Sequence, residues 1–164
     1  MPTSRFATHT QAELYQIALD TRQRLEPSWQ ADPVRLQYWS LKPLSYGQCA
    51  RSTDFLLGEG LRGAGRDSIQ RHAGRLAFKQ ELSLPAVEPH TWLSVGEVII
   101  DMTADQEGYQ EPIICHTPEQ LEDLGIRYTA RYTWLVKQEG GQPQLERLPE
   151  TPEMLQAWAA RKEY

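Results

Sequence analysis

The 164-residue chain holds only two cysteines, Cys49 and Cys115, and no C-x-x-C pair. Two thiols cannot supply the disulfide framework that staples small secreted domains, nor the thiolate pairs of a zinc ribbon. Each cysteine is therefore expected to be a free thiol with its own explanation. No window approaches the ~18 uninterrupted apolar residues that a membrane-spanning helix needs. The opening "MPTSRFATHTQAELYQ" also lacks the basic flank and apolar run of a secretory signal. A cytoplasmic protein with no membrane partner is the expectation, and signal-independent export as an effector is compatible with it. Positive charge is in short supply as well: 17 Lys and Arg stand against 22 Asp and Glu, for a net charge of -5. Affinity for a phosphate backbone rests on neutralising it with Lys and Arg, so nucleic acid is not expected as a partner. "GEGLRGAG" lacks the Lys-Ser/Thr and the preceding strand of a phosphate loop and reads as a plain loop.

What is present is an ordinary folding composition, 40% hydrophobic and 24% charged. This lies far from the polar, highly charged sequences that stay disordered. The length suits one domain over residues 1–164, with no internal repeat. "THTQAELYQIALDTRQRLEP" spaces Leu14, Ile17, Ala18 and Leu25 as an amphipathic helix, with Thr8 or Thr10 as cap and Pro27 as stop. A short helix or turn follows between Pro33 and Trp39. Cys49, Thr53, Leu56, Leu57 and Gly60 then share a helical face, placing Cys49 in the first turn of a helix on its buried side.

"GAGRDSIQRHAGR" reads as a basic loop, and "LAFKQELSL" as a strand. "HTWLSV" and "VIIDMT" form a hairpin around Gly96-Glu97, and "EPIICH" is a further short apolar run. "TPEQLEDLG" carries Thr at the N-cap, Pro at the first helical position, Gln120 at the capping-box position and Gly125 as the stop. "IRYTARYTWLVKQ" is the longest β-like run, and "TPEMLQAWAARKEY" is a C-terminal helix. The order is that of an α+β protein.

The hairpin carries the chemistry. A two-residue turn at Gly96-Glu97 sets Val95 opposite Val98, Trp92 opposite Asp101 and His90 opposite Thr103. His90 and Asp101 are then diagonal neighbours on one face, roughly 7–8 Å apart at Cα, a gap that imidazole and carboxylate can close. A three-residue turn would separate them onto opposite faces, so the pairing depends on the turn. An aspartate on one ring nitrogen fixes the histidine tautomer and supports the cation formed when the other nitrogen takes a proton. Cys49, at a helix N-terminus where free N–H groups and the dipole favour a thiolate, supplies the nucleophile that such a pair lacks. Cys-His-Asp in this arrangement suffices for acyl transfer.

"GQCARSTDFLL" followed by "HTWLSVGEVIIDMTADQ" resembles the cysteine helix and the His and Asp strands of the papain-like and transglutaminase-like superfamily. The likeness covers about residues 43–106 and extends to small bacterial proteins of this kind. It implies N-terminal helices with a central Cys-bearing helix packed on an antiparallel sheet. It also implies Cys49 as nucleophile, His90 as general base, Asp101 as orienting residue, no metal or other cofactor, and a protein or peptide substrate. The reaction is left open among peptidase, amidase, glutamine deamidase and transglutaminase. The chain departs from the papain pattern in having no Gln some six residues before Cys49, where an oxyanion donor would stand. The Cys49 backbone N–H is the first candidate for that role, with Gln48 and Gln106 behind it. Trp92, beside Asp101, reads as a core residue that excludes water and borders the substrate site.

Other readings compete. Buried free cysteines are common, Asp101 could close an Asx turn on Thr103, and His90 could be a strand-start residue. The chain could then be a non-catalytic binding or immunity-type protein with a decayed site. A metal-binding domain could use His90, Asp101 and the Cys115-His116 region, although neighbouring residues on a strand point to opposite faces. Arg62, Arg66, Arg71, His72 and Arg75 read as a solvated basic face, with recognition of an acidic substrate or partner as the alternative.

Overall fold

The computed structural model describes residues 9–61, 68–139 and 142–161. Helix α1 (Gln11–Gln30) opens with a complete capping box between Thr10 and Glu13. It runs past Pro27, which sits inside its last turn and removes only the one N–H that would have reached back along the helix. Helix α2 (Pro33–Tyr38) starts from the Asp32 cap. Helix α3 (Cys49–Phe55) continues as a π-helical turn over Leu56–Gly60.

Strands β1 (Ile69–Phe78), β2 (Val87–Val95), β3 (Val98–Asp101), β4 (Ile114–His116), β5 (Ile126–Glu139) and β6 (Gln142–Arg147) form one sheet in the order β4-β3-β2-β1-β5-β6. Every neighbouring pair is antiparallel. Helix α4 (Pro118–Leu124) has the expected Thr117–Gln120 capping box and Gly125 at its end, and α5 (Pro152–Ala159) is capped by Thr151. The α+β expectation holds at this level: helices and a six-stranded antiparallel sheet. Among the described residues no helix is long and apolar enough to cross a membrane.

The sheet separates two cores. On one face Leu93, Val95, Ile100 and Ile69 pack against Leu14 and Ala18 of α1 and Leu56 and Leu57 at the end of the α3 helix. On the other, Leu76, Phe78, Val87, Ile114 and Ile126 pack with Leu121 of α4. Leu93 is fully buried at the centre, where truncation to Ala would cost about 2–5 kcal/mol.

Two expectations need correction. Of the basic segment expected as a loop over 63–75, residues 63–67 lie outside the described residues and those from Ile69 belong to β1, while the strand expected over 76–84 ends at Phe78 and gives way to a 3-10 turn at Gln80–Leu82. Polar residues masked the strand because its charged side chains find partners across the surface instead of facing water. Nor do Arg71 and Arg75 of the basic cluster form a solvated face. Arg71 binds Asp54 of α3 at 2.9 Å, Arg75 binds Glu88 at 3.0 Å, and both side chains are largely covered. Arg62 and Arg66 lie outside the described residues.

The hairpin between β2 and β3 has the expected register, with Val95 opposite Val98 and Leu93 opposite Ile100. Gly96 alone of the two turn residues has positive φ, +58°, as a type II′ turn requires of its first central residue. That turn fixes the parity on which the His90–Asp101 pairing depends.

Candidate active site

β3 pairs with β2 only from Leu93 to Val95, then leaves the sheet after Asp101. The edge of β2 at His90–Thr91 is thereby left open to α3, and Thr53 of α3 donates its hydroxyl to the Thr91 carbonyl at 3.3 Å. Cys49, the first residue of α3, reaches that edge half-buried. Its sulfur meets the Thr91 backbone N–H and the His90 ring.

His90 is fully buried. Its Nε2 lies 2.5 Å from Asp101 Oδ2, and its Nδ1 lies 3.0 Å from the Gln106 amide nitrogen. Asp101 is itself tied down: Oδ1 accepts from the Thr103 N–H at 2.9 Å, and Oδ2 accepts from the Tyr128 hydroxyl at 2.7 Å. Tyr128 comes from β5, two strands away across β1. Between it and His90 stands Gly74, opposite His90 in the β1–β2 ladder. A Cβ there would fall 2.0 Å from the Thr129 carbonyl oxygen, so only glycine permits this approach of the strands.

The ionisation of these groups follows from the packing. Burial disfavours the Cys49 thiolate, but the hydrogen bond and charge of His90, with the Thr91 N–H, outweigh it and bring the thiol below its ordinary pKa. Burial likewise disfavours the His90 cation, yet the adjacent Asp101 charge and hydrogen bond raise the ring to about 9. Burial opposes the Asp101 carboxylate too, but His90, the Thr103 N–H and the Tyr128 hydroxyl lower its pKa. Burial and the Asp101 charge keep Tyr128 protonated and donating. The Gln106 amide pulls the other way, since an N–H aimed at Nδ1 suits the neutral ring. A neutral hydrogen bond contributes about 1 kcal/mol net, less than a buried charge in contact. The raised direction therefore stands, and Cys49 and His90 titrate as a coupled pair.

A second set of contacts holds the pieces together. Arg22 of α1 grips Asp105 with Nη1 at 2.8 Å and Nη2 at 2.9 Å, and also binds the Met102 and Pro112 carbonyls. Ser45 donates to Asp105 at 2.5 Å. The loop entering α3 is thus locked to the segment that carries Gln106.

The structure brings Cys49, His90, Asp101 and Gln106 together. Gln48 turns away from the cluster: its amide donates to Asp32 at 2.9 Å while its backbone caps α3. Trp92 is buried, stacked at 6.0 Å on His90 and 5.6 Å on His72. With Tyr128, His72, Ser94, Ile99 and Thr117 it lines a cleft of about 450 Å³ on the sheet face away from α1 and α3. Cys115 is buried in the α1-side core, donates to the Gln11 carbonyl at 3.5 Å, and is pushed up to about 11 by burial. Among the described residues no group of three or more His, Cys, Asp or Glu is placed to hold a metal ion. Tyr128 and Arg22 carried no local signal in the sequence, since one needs the strand order and the other a contact 83 residues away. Comparison with protein-family models, curated proteins and solved structures gives no match to this chain.

Proposed function

We propose that the chain is a cysteine-dependent acyl-transfer enzyme of papain-like or transglutaminase-like type, acting on an amide bond of a protein or peptide. One observation carries the reading. A buried histidine has Asp101 on Nε2 and its ring against Cys49, a thiol of lowered pKa at the start of a helix. Cys49 Sγ attacks the amide carbonyl carbon and its proton resides on His90 Nδ1. Collapse of the tetrahedral intermediate breaks the C–N bond, and Nδ1 returns the proton to the leaving amine. The resulting thioester passes to water in a peptidase, amidase or deamidase, or to an amine in a transglutaminase.

Asp101 holds the ring and supports its cation, while Gln106 donates to Nδ1 of the neutral ring and gives up that contact when Nδ1 takes the thiol proton. The first intrahelical bond of α3 runs from the Ser52 N–H to the Gln48 carbonyl, so the Cys49 N–H has no helical partner and serves as the oxyanion donor. The test is competitive alkylation by iodoacetamide at pH 6 with peptide mapping. Cys49 should label faster than Cys115 by at least about 100-fold, because only thiolate reacts. Equal, slow labelling of both thiols would leave a non-catalytic binding protein as the better account.

A further inference from the structure

Arg75 carries a feature that the triad does not use. Its Nη1 is spoken for by Glu88 at 3.0 Å, but its Nε is, among the described residues, the buried side-chain polar atom with no hydrogen-bond partner. An orphaned, buried guanidinium N–H is costly to a fold and marks a place where an acceptor is expected. Arg75 lines a pocket of about 360 Å³ with Ala77, Gln80, Ser83, Leu84 and Ala86, where Gln80 and Ser83 add neutral hydrogen-bonding groups. Glu88 receives Arg161 as well, at 3.3 Å, so two guanidinium groups share one carboxylate and the local balance is one positive charge. Lys79 and Glu81, either side of Gln80, offset one another. A single negative charge with acceptor oxygens fits this balance, as a carboxylate does and a dianionic phosphate does not.

The pocket's position gives that charge a meaning. Alternation along β1 places Arg71, Ala73 and Arg75 on one face, the face from which Arg71 reaches Asp54 of the Cys49 helix. Ala73 pairs with Thr91, whose N–H meets the Cys49 sulfur. Arg75 is two residues further along, about 7 Å, and Ala77 four, about 13 Å, with about 5 Å between the strands, which puts the pocket roughly 10–15 Å from the nucleophile. An extended peptide covers that distance in about three to four residues.

We infer that the Arg75 pocket binds a substrate carboxylate, about three to four residues from the carbonyl that Cys49 attacks. As a substrate subsite it rests on the acyl-transfer reading; as a carboxylate site it stands on Arg75 alone. The probes are N-acetyl-trialanine with a free C-terminal carboxylate and the same peptide as its C-terminal amide, titrated calorimetrically into the full chain carrying Cys49→Ala to prevent turnover. The free acid should bind about tenfold or more tightly than the amide, the scale of one charge-assisted hydrogen bond. Arg75→Gln should abolish that preference, and Arg75→Lys, which keeps the charge but removes the Nε–H, should retain only part of it. Equal affinity of acid and amide, or an acid preference that survives Arg75→Gln, overturns the inference. The acid/amide comparison on the Arg75-intact chain decides the matter even if the Arg75 variants do not fold. Iodoacetamide labelling of Cys49 in the otherwise unaltered chain separates the two readings: a reactive Cys49 without an acid preference sinks the subsite alone. An unreactive Cys49 with an acid preference leaves a carboxylate-binding site without the enzyme.

Discussion

His90 and His72 stack on the same tryptophan, Trp92, yet they are driven in opposite directions. His90 has Asp101 at 2.5 Å and is raised to about 9. His72 has only hydroxyls, Thr133 at 2.9 Å and Ser94 at 2.8 Å, and burial lowers it to about 4. Burial by itself makes an imidazole neutral, and one buried carboxylate is enough to reverse it. The consequence for stability has opposite signs at the two ends of the stack. The folded state holds the His90 proton more tightly than the unfolded chain. That contribution is full below about 6.5 and is lost as pH rises through about 9. The folded state holds the His72 proton less tightly, so stability is lost as pH falls from about 6.5 to about 4 and changes no further below that.

Asp101→Asn should break this contrast most severely by making His90 resemble His72. Without the carboxylate, burial lowers the ring's pKa, the thiolate loses its cationic neighbour, and the thiol moves back up. Alkylation of Cys49 at pH 6 should fall by about 100-fold or more, the scale of a general-base contribution. Its pH profile should move toward the ordinary thiol value near 8.5. Labelling that is indifferent to the substitution would show that Asp101 does not govern the Cys49–His90 pair.

His72→Gln sharpens the other end. Glutamine can still donate to one hydroxyl and accept from the other, but it cannot titrate. The acid-side loss of stability that His72 causes, on the order of 3 kcal/mol between pH 6.5 and 4 for a shift of this size, should disappear from denaturant titrations. Cys49 labelling should stay unchanged. An unaltered acid slope in the variant would mean that His72 is hydrated well enough to titrate normally.

Why one histidine was legible in the sequence and the other was not follows from the range of the interactions. His90 and Asp101 sit on adjacent strands of a two-residue hairpin, so strand parity and the turn residues alone predict their contact. Thr117 and Gln120 announced α4 for the same reason, since a capping box is local. The partners of His72, Ser94 and Thr133, come from β2 and β5 on either side of it, and nothing local in "SIQRHAGR" indicates that this polar run is the central strand. Gln106 was visible as a candidate near the site, but its contact with His90 Nδ1 depends on the turn after Asp101 and on the Arg22–Asp105 anchor from α1. Gln48 was visible by adjacency to Cys49, and adjacency misled about its side chain: the first helical turn directs it to Asp32.

Tyr128→Phe gives the smallest effect and the most discriminating sign. The hydroxyl gives Asp101 Oδ2 a second hydrogen bond, at 2.7 Å, beside the one from His90. Losing a hydrogen bond to a buried charge should cost about 1.5–3 kcal/mol of stability, read as a lower denaturant midpoint at unchanged slope. The effect on the thiol runs the other way from Asp101→Asn. The positive end of the O–H dipole partly screens the carboxylate's field at His90, so its removal should strengthen the hold of Asp101 on the ring proton. His90 should then titrate higher and the Cys49 alkylation profile should shift slightly to lower pH. A shift to higher pH, in the same direction as Asp101→Asn, would mean that the hydroxyl matters by keeping the carboxylate in register with the ring, and the screening argument would fail.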